Sequence, residues 1–373
     1  MLKSRLCIAF FAFAVGCAPA QKPLTDYVNP MLGTATLWDS VDLGFKPTKR
    51  TWGAEVFPGS SLPNAMVQVS PVTKFHSGAG YQYEDSVIYG FTHTNKGHWN
   101  LCHIPLLPVT GTPTPGDYCS PFSHERESAA PGYYQVFLDR YGVDAQLSST
   151  LRCAFHKYTY PARAAASLLA DLQRSNEHVR AWDIRKEGDN VFAGWQQTGE
   201  KMYSYAVANR PVTGIEPVVE GDREVRIVRF GEGDGALELR IGFSFVSEKN
   251  ARENLEAEML GKSFAEVRSE ATATWNALLG RIRVEGGTER EKGLFYLSLY
   301  RSFLWPALRS DVNGEFTDVD GKVINPGFRY YTGPSYWDDY RNKLILLGML
   351  APDVAADVIS SDTDKGEKRG GFM

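Results

Sequence analysis

The sequence predicts an antiparallel β-sandwich that gives way to a helical domain near Ser247, and two observations carry that prediction. From about Tyr27 to Val246 apolar residues recur at every second position between turns rich in Gly and Pro, of which the chain holds 35 and 20. A period of two puts alternate side chains on one face, as half-buried strands require. Beyond Ser247 the apolar spacing changes to three and four, the repeat of a helix face.

The chain opens "MLKSRLCIAFFAFAVGCAPAQK". Lys3 and Arg5 form a basic start, the apolar run Leu6 to Val15 is too short to span a bilayer as a helix, and small residues follow. Residues 1–20 therefore read as an export signal. Two processing readings stand side by side: Ala18-Pro19-Ala20 before Gln21 fits a cleavage site, and Ala14-Val15-Gly16-Cys17 resembles a bacterial lipobox whose cysteine is acylated. The protein is expected in the periplasm or as an outer-membrane lipoprotein, with Cys17 as its sole route to a membrane. A buried N-terminal helix is disfavoured by Gly16 and Pro19.

Residues 21–247 form the sandwich. Leu147, Leu151, Cys153 and Phe155 alternate with Ser148, Thr150, Arg152 and His156. In "ALELRIGFSFVS" (236–247), Leu237, Leu239, Ile241, Phe243 and Phe245 share one face, and Glu238, Arg240 and Ser244 take the other. Residues 248–373 form the helical domain. In "SFAEVRSEATATWNALLGRI", Phe264, Val267, Ala271, Trp275, Leu278 and Ile282 step by three and four, with Ser263 and Glu266 as a capping box. Thr288 and Glu291 repeat that box before "GLFYLSLYRSFLW", apolar nearly all round and stopped by Pro306, as a helix buried between neighbours would be. "APDVAADVISSD" starts another helix with Pro352 in its first turn. About three helices with one apolar on all sides do not close a core, so the sequence is expected to stop inside a domain.

Hydrophobic residues make up 43% of the chain, enough for a large core. A net charge of −4 without a basic cluster excludes nucleic acid as partner, because phosphate binding needs a concentrated positive face. Of five cysteines, Cys7 and Cys17 lie in the leader, and Cys102, Cys119 and Cys153 allow one disulfide but no disulfide scaffold. The chain lacks G-x-S-x-G, a P-loop, H-E-x-x-H and a dinucleotide fingerprint after a strand. "HWNLCH" brings His98, Cys102 and His103 together, too small a set for a zinc site at the usual spacings. "DVNGEFTDVDG" follows a calcium loop at Asp311, Asn313 and Glu315, but its sixth and twelfth positions are Phe316 and Lys322, so it reads as a turn-rich surface loop.

Aromatic and polar groups are interleaved in the loops: Trp38, Trp52, Tyr81, Tyr83, His93, His98 and Trp99, then "SYWDDYR" (335–341). A sugar offers an apolar C–H face that stacks on an aromatic ring, and vicinal hydroxyls that a carboxylate grips with two hydrogen bonds. Trp337 beside Asp338 supplies both. The plainer alternative makes Trp337 a core residue and Asp338 or Asp339 a helix cap.

Several stretches together resemble glycoside hydrolase family 92, the calcium-dependent exo-α-mannosidases: "YVNPMLGT" (27–34), "FPGSSLPNAMVQVSP" (57–71), "GYQYEDSVIYGFTHT" (80–94), "SPFSHERESAAPGYYQVFLDRYGVDAQLSSTLRCAFHKYTYP" (120–161), "NLEAE" (254–258), "RIRVEGG" (281–287), "FYLSLYR" (295–301) and "SYWDDYR", in family order. The resemblance implies a sandwich followed by an (α/α)6 barrel, of which this chain would hold the first helices, with the sugar site where the two meet. It implies that Trp337 and Asp338 contact a terminal mannose, that Arg341 orients the pocket and that His93 lies on a sandwich loop reaching it. It further implies calcium as cofactor, a mannose-containing glycan as partner, and an inverting mechanism in which one carboxylic acid protonates the leaving oxygen while another carboxylate activates water, the pair roughly 6.5–9.5 Å apart. The acid, the base and the calcium ligands are expected beyond Met373, "RGGFM" resembling an interior barrel segment. The chain departs from the family in reading "HTNKGHWNLC" (93–102) for H-T-H-L-S-G, and "VTKFHSGA" (72–79) lacks the tryptophan of the leaving-sugar site of α-1,2-specific members. Linkage is thus open, with Trp99 as the candidate substitute platform. The 373 residues alone are expected to lack hydrolase activity and to fold poorly. A second reading is a non-catalytic, lectin-like carbohydrate-binding chain.

Overall fold

The computed structural model describes residues 22–37, 41, 44–46, 56–96, 99–333 and 335–371, and of residues 95, 96, 99, 100 and 338 the backbone alone. Residues 1–20, expected to be an export leader with Cys7 and Cys17, and also Trp38, Trp52 and His98, lie outside the described residues. Two sheets form the sandwich. One has eight strands in the order Ala181–Gly188, Val191–Gln197, Lys201–Ala208, Leu237–Ser244, Cys153–Thr159, Val143–Ser149, Tyr133–Leu138 and Glu127–Ala130. The other has seven, in the order Ser60–Ser61, Gln68–Val72, Gly90–Thr92, Leu106–Val109, Ser167–Ala170, Arg223–Phe230 and Val212–Glu220. Every neighbouring pair is antiparallel, so the large sandwich read from the period-two pattern is present. Leu107, Leu168 and Ile227 from the seven-stranded sheet belong to one core with Val136, Leu147, Leu239 and Ile241 from the eight-stranded sheet. Each such aliphatic contributes roughly 1.5–3 kcal/mol relative to exposure.

The face assignments need two corrections. Leu147 stands opposite His156, and Ser148 opposite Phe155. Directly paired residues share a face, so Leu147 and His156 point inward, whereas Ser148, Cys153 and Phe155 point outward; the turn between the strands shifts the alternation by one residue. The outward face is not solvent either. Cys153, Phe155 and Tyr133 pack with Leu255, Met259, Phe264 and Val267 in a second core. Helix Glu248–Glu258, capped by Ser247, lies on this face. That is why Ser244, expected on a polar face, is buried and donates to Asp311 Oδ2 at 2.7 Å. It is also why position 242 is glycine: a Cβ there would stand 2.1 Å from the Ala251 carbonyl oxygen.

Helices Phe264–Leu279 and Glu289–Ser302 both start with the expected capping boxes, Ser263 with Glu266 and Thr288 with Glu291. The second helix is less enclosed than its composition suggests. It buries Tyr296, Leu297, Leu299 and Tyr300, while Leu294 and Phe295 on its other flank are exposed. Short helix Tyr336–Asp339 and helix Lys343–Leu350 precede Pro352–Arg369, which has its proline in the first turn as expected. The last two pack on each other through Leu347, Leu350 and Val358 and leave Ile345, Met349 and Ile359 exposed.

Further contacts join sandwich and helices. Trp275 is fully buried against Tyr300 and donates from Nε1 to the Ser61 carbonyl at 2.7 Å. Asn64, in the left-handed region at φ 52°, donates from its backbone N–H to the Phe303 carbonyl and from Nδ2 to the Pro306 carbonyl. Arg152 donates to Glu258 Oε1 at 2.6 Å and to the Ser310 carbonyl at 2.7 Å. In addition, the segment 22–37 straps across both parts. Thr25 exchanges two hydrogen bonds with Asn276, and Tyr27 packs on Tyr296. At the other end Thr36 donates twice to Glu84 Oε1, and the Tyr83 N–H donates to the Thr34 carbonyl.

Candidate functional site

The helix Tyr336–Asp339 that carries Trp337 is four residues long, too short to hold itself by its own backbone bonds. Side chains fix both its ends. At its start Tyr336 Oη donates to Asp362 Oδ2 at 2.6 Å, on the helix Pro352–Arg369. Asp362 is steadied by Lys365, whose Nζ stands 3.2 Å from Asp362 Oδ1 and 2.8 Å from the Tyr331 carbonyl oxygen. Burial, and then the bond to Asp362, push the Tyr336 phenol up to about 12. At its end Asp339 Oδ2 accepts the Ser335 N–H at 3.1 Å, and Asp339 Oδ1 lies 3.3 Å from Lys343 Nζ. Asp339 is buried and is not the cap of the next helix that one alternative foresaw: that helix, Lys343–Leu350, has Asn342 at its N-cap and no side-chain cap bond.

Between these ends Trp337 is 88% exposed. An indole left in solvent on a pinned helix does not serve the core, so the alternative reading of Trp337 as a core residue is corrected. Asp338 is its neighbour on the helix, its side chain lying outside those described. Arg341 is exposed and donates from Nε to Tyr340 Oη at 2.7 Å. The arrangement presents an open ring face with a guanidinium four residues on, chemistry suited to a ligand with an apolar face and several hydroxyls.

His93 does not join them. It is fully buried between the sheets, its ring against Phe243 at 4.5 Å between centroids and its Nε2 3.0 Å from His156 Nε2. His156 in turn meets the Tyr158 hydroxyl at 2.6 Å. The expectation of a sandwich-loop histidine reaching an open pocket is thus corrected: the residue falls on the inward phase of a strand extension flanked by Gln68 and His103. Burial lowers His93 to about 3, and burial and then His93 lower His156 well below the usual imidazole range. Trp99 starts a two-residue strand paired with Asn95–Lys96, and its side chain lies outside those described.

Other readings resolve in the same way. His103 is held by the hydroxyls of Thr94 and Thr198, and Cys102 is buried with its thiol pushed up by burial. Cys102, Cys119 and Cys153 are free thiols, so the one disulfide the count allowed is not formed among the described residues. Asp311 is not on a surface loop. It is buried, and accepts from Ser244, Asn250 and Asn254. Its oxygens are thereby occupied by donors, which does not fit a cation, and no group of three or more His, Cys, Asp or Glu is placed to hold a metal among the described residues. Tyr81 and Tyr134 donate to the buried Glu127 carboxylate, and Tyr83 stacks on His124, which also meets Glu127. What sequence reasoning missed is the pair Tyr336 and Asp362, because nothing local signals a contact 26 residues apart.

Residues 27–253 match the glycosyl hydrolase family 92 N-terminal domain and residues 250–373 the glycosyl hydrolase family 92 catalytic domain. The fold is similar to a family GH92 α-mannosidase from Bacteroides thetaiotaomicron, with 26% identity and a TM-score of 0.83 over 93% of this chain and 50% of that one. A structure of that mannosidase in complex with mannoimidazole matches equally, at 26% identity and TM-score 0.83 over 93% of this chain and 49% of that one. An uncharacterized secreted glycosidase from Arthroderma benhamiae is 23% identical over 347 residues, 78% of this chain and 42% of that protein. The chain thus spans about half the length of the relatives it matches. No helix among the described residues is long and apolar enough to cross a membrane.

Proposed function

Since the chain belongs to glycosyl hydrolase family 92, we propose that the protein is an exported, inverting exo-α-mannosidase that removes terminal α-linked mannose from glycans. One observation carries the reading: a structurally similar chain at 26% identity is an α-mannosidase and has been captured with mannoimidazole. The exposed Trp337 agrees with it in chemistry, since a mannose ring has a C–H face to lay on an indole.

In this proposal Trp337 stacks on the sugar, Asp338 grips a vicinal diol and Arg341 orients the pocket. Neither the general acid nor the general base is assigned to a residue of this chain. Calcium remains the proposed cofactor without an assigned ligand, and no step is routed through it. The leader is proposed to deliver the protein to the periplasm or, acylated at Cys17, to the outer membrane.

The test is release of free mannose from α-linked mannobioses by the protein expressed from its complete reading frame, with and without a calcium chelator. Release that the chelator abolishes is expected. No release under either condition sinks the mannosidase reading, and mannose binding without release selects the lectin-like alternative. Replacing Asp338 by Ala is expected to cost about 2–4 kcal/mol of transition-state binding.

A further inference from the structure

The helix bearing Trp337 has only one turn, and its foothold comes from elsewhere in the chain. Its own backbone supplies the Asp339 and Tyr340 N–H bonds to the Ser335 and Tyr336 carbonyls. Beside the Asp339 contacts with the Ser335 N–H and Lys343, the side-chain foothold on another helix of the chain is the phenol of Tyr336 on the carboxylate of Asp362, at 2.6 Å. Asp362 sits in the middle of the eighteen-residue helix Pro352–Arg369, the longest helix of the described residues, so its position is fixed by many turns of backbone. Its second oxygen is engaged by Lys365, which also grips the Tyr331 carbonyl on the strand-like segment leading into the short helix. The segment is therefore clamped on both sides of residue 334 to one helix: Tyr331 through Lys365, and Tyr336 through Asp362.

We propose that Tyr336, Asp362 and Lys365 form a latch that sets the position of Trp337 and Asp338, making Asp362 and Lys365 positioning residues for the sugar site although they do not touch the sugar. This rests on the reading of Trp337 and Asp338 as sugar contacts. The physical reason is entropic. A four-residue turn in water is unfavourable by itself because nucleation orders several dihedrals for one bond, and a stacking platform that samples many orientations gives up binding free energy each time a ligand orders it. A hydrogen bond between a phenol and a carboxylate that is 14% exposed removes that disorder before the ligand arrives.

Tyr336→Phe deletes the hydroxyl and keeps the ring; Asp362→Ala deletes the acceptor; Asp362→Asn keeps an oxygen that still accepts from Tyr336. The first readout is amide hydrogen exchange over 335–342 in the unliganded protein expressed from its complete reading frame. Tyr336→Phe and Asp362→Ala are each expected to speed exchange there about tenfold, Asp362→Asn to restore most of the protection, and the double variant to be no faster than Asp362→Ala. The second readout is mannose release: KM is expected to rise about tenfold in Tyr336→Phe, with kcat nearly unchanged. Exchange over 335–342 that stays at the wild-type rate in Tyr336→Phe overturns the latch. So does faster exchange with an unchanged KM in an active enzyme, which would leave Tyr336 a merely structural residue. A wild-type protein that releases no mannose overturns the mannosidase reading instead, and the exchange rates then decide the latch alone.

Discussion

Trp337 and His93 are polar opposites in placement, and the contrast decides what each can do. Trp337, 88% exposed, contributes little to folding. Trp337→Ala is expected to shift stability by less than about 0.5 kcal/mol while lowering kcat/KM for mannose release at least tenfold, a split read by urea denaturation beside steady-state kinetics. His93 is the reverse, a fully buried imidazole kept neutral. Its proton affinity is held down to about 3 by burial, whereas an unfolded chain's histidine titrates near 6.5. Between these values the unfolded state takes up a proton that the folded state refuses. The histidine's contribution to stability is therefore full above about pH 6.5 and is lost as pH falls towards 3, by roughly 1.4 kcal/mol per pH unit. His156, lowered in the same direction, adds to the slope. Urea midpoints at pH 7.5 and 5.5 should drop accordingly, and His93→Gln should remove about half of that drop; an unchanged midpoint would show that neither imidazole is kept neutral by folding.

Elements were legible wherever local rules decide them. Ser263 with Glu266 and Thr288 with Glu291 cap the helices they were expected to cap, and Pro352 opens the last long one. Ser263→Ala should cost about 1 kcal/mol in a thermal or urea melt. Faces were legible only where one partner covers them. The outer face of strand Leu237–Ser244 looked solvated, because a period of two reports alternation and not which helix will later settle on the sheet. Gly242 marks the closest approach, and Gly242→Ala should cost about 3 kcal/mol, because the added methyl meets a backbone carbonyl that cannot rotate away. A smaller loss would mean that helix Glu248–Glu258 can lift off the sheet at little cost. The candidate site was half legible for the same reason. Trp337 and Asp338 are adjacent in sequence and could be weighed together, whereas the bond from Tyr336 to Asp362 and the burial of His93 are products of tertiary packing that no local pattern encodes.

At the scale of the molecule, sandwich and helices are held by buried contacts. Arg152 and Glu258 are a largely buried charged pair at their junction, with side chains 9% and 14% exposed. Removing one partner leaves the other charge without compensation, so Glu258→Ala should destabilise by about 3 kcal/mol, and differential hydrogen exchange should place the loosening at strand 153–159 and loop 309–311. Exchange confined to residue 258 and its neighbours would instead make the pair a local ornament. The strap formed by residues 22–37 acts over a long span, since Thr25 meets Asn276 across 251 positions. A ribosome adding roughly 5–20 residues per second makes Thr25 wait about 13–50 seconds before Asn276 exists. This early-synthesised segment is thus among the last to dock, and throughout that interval it is available to whatever machinery handles the nascent polypeptide.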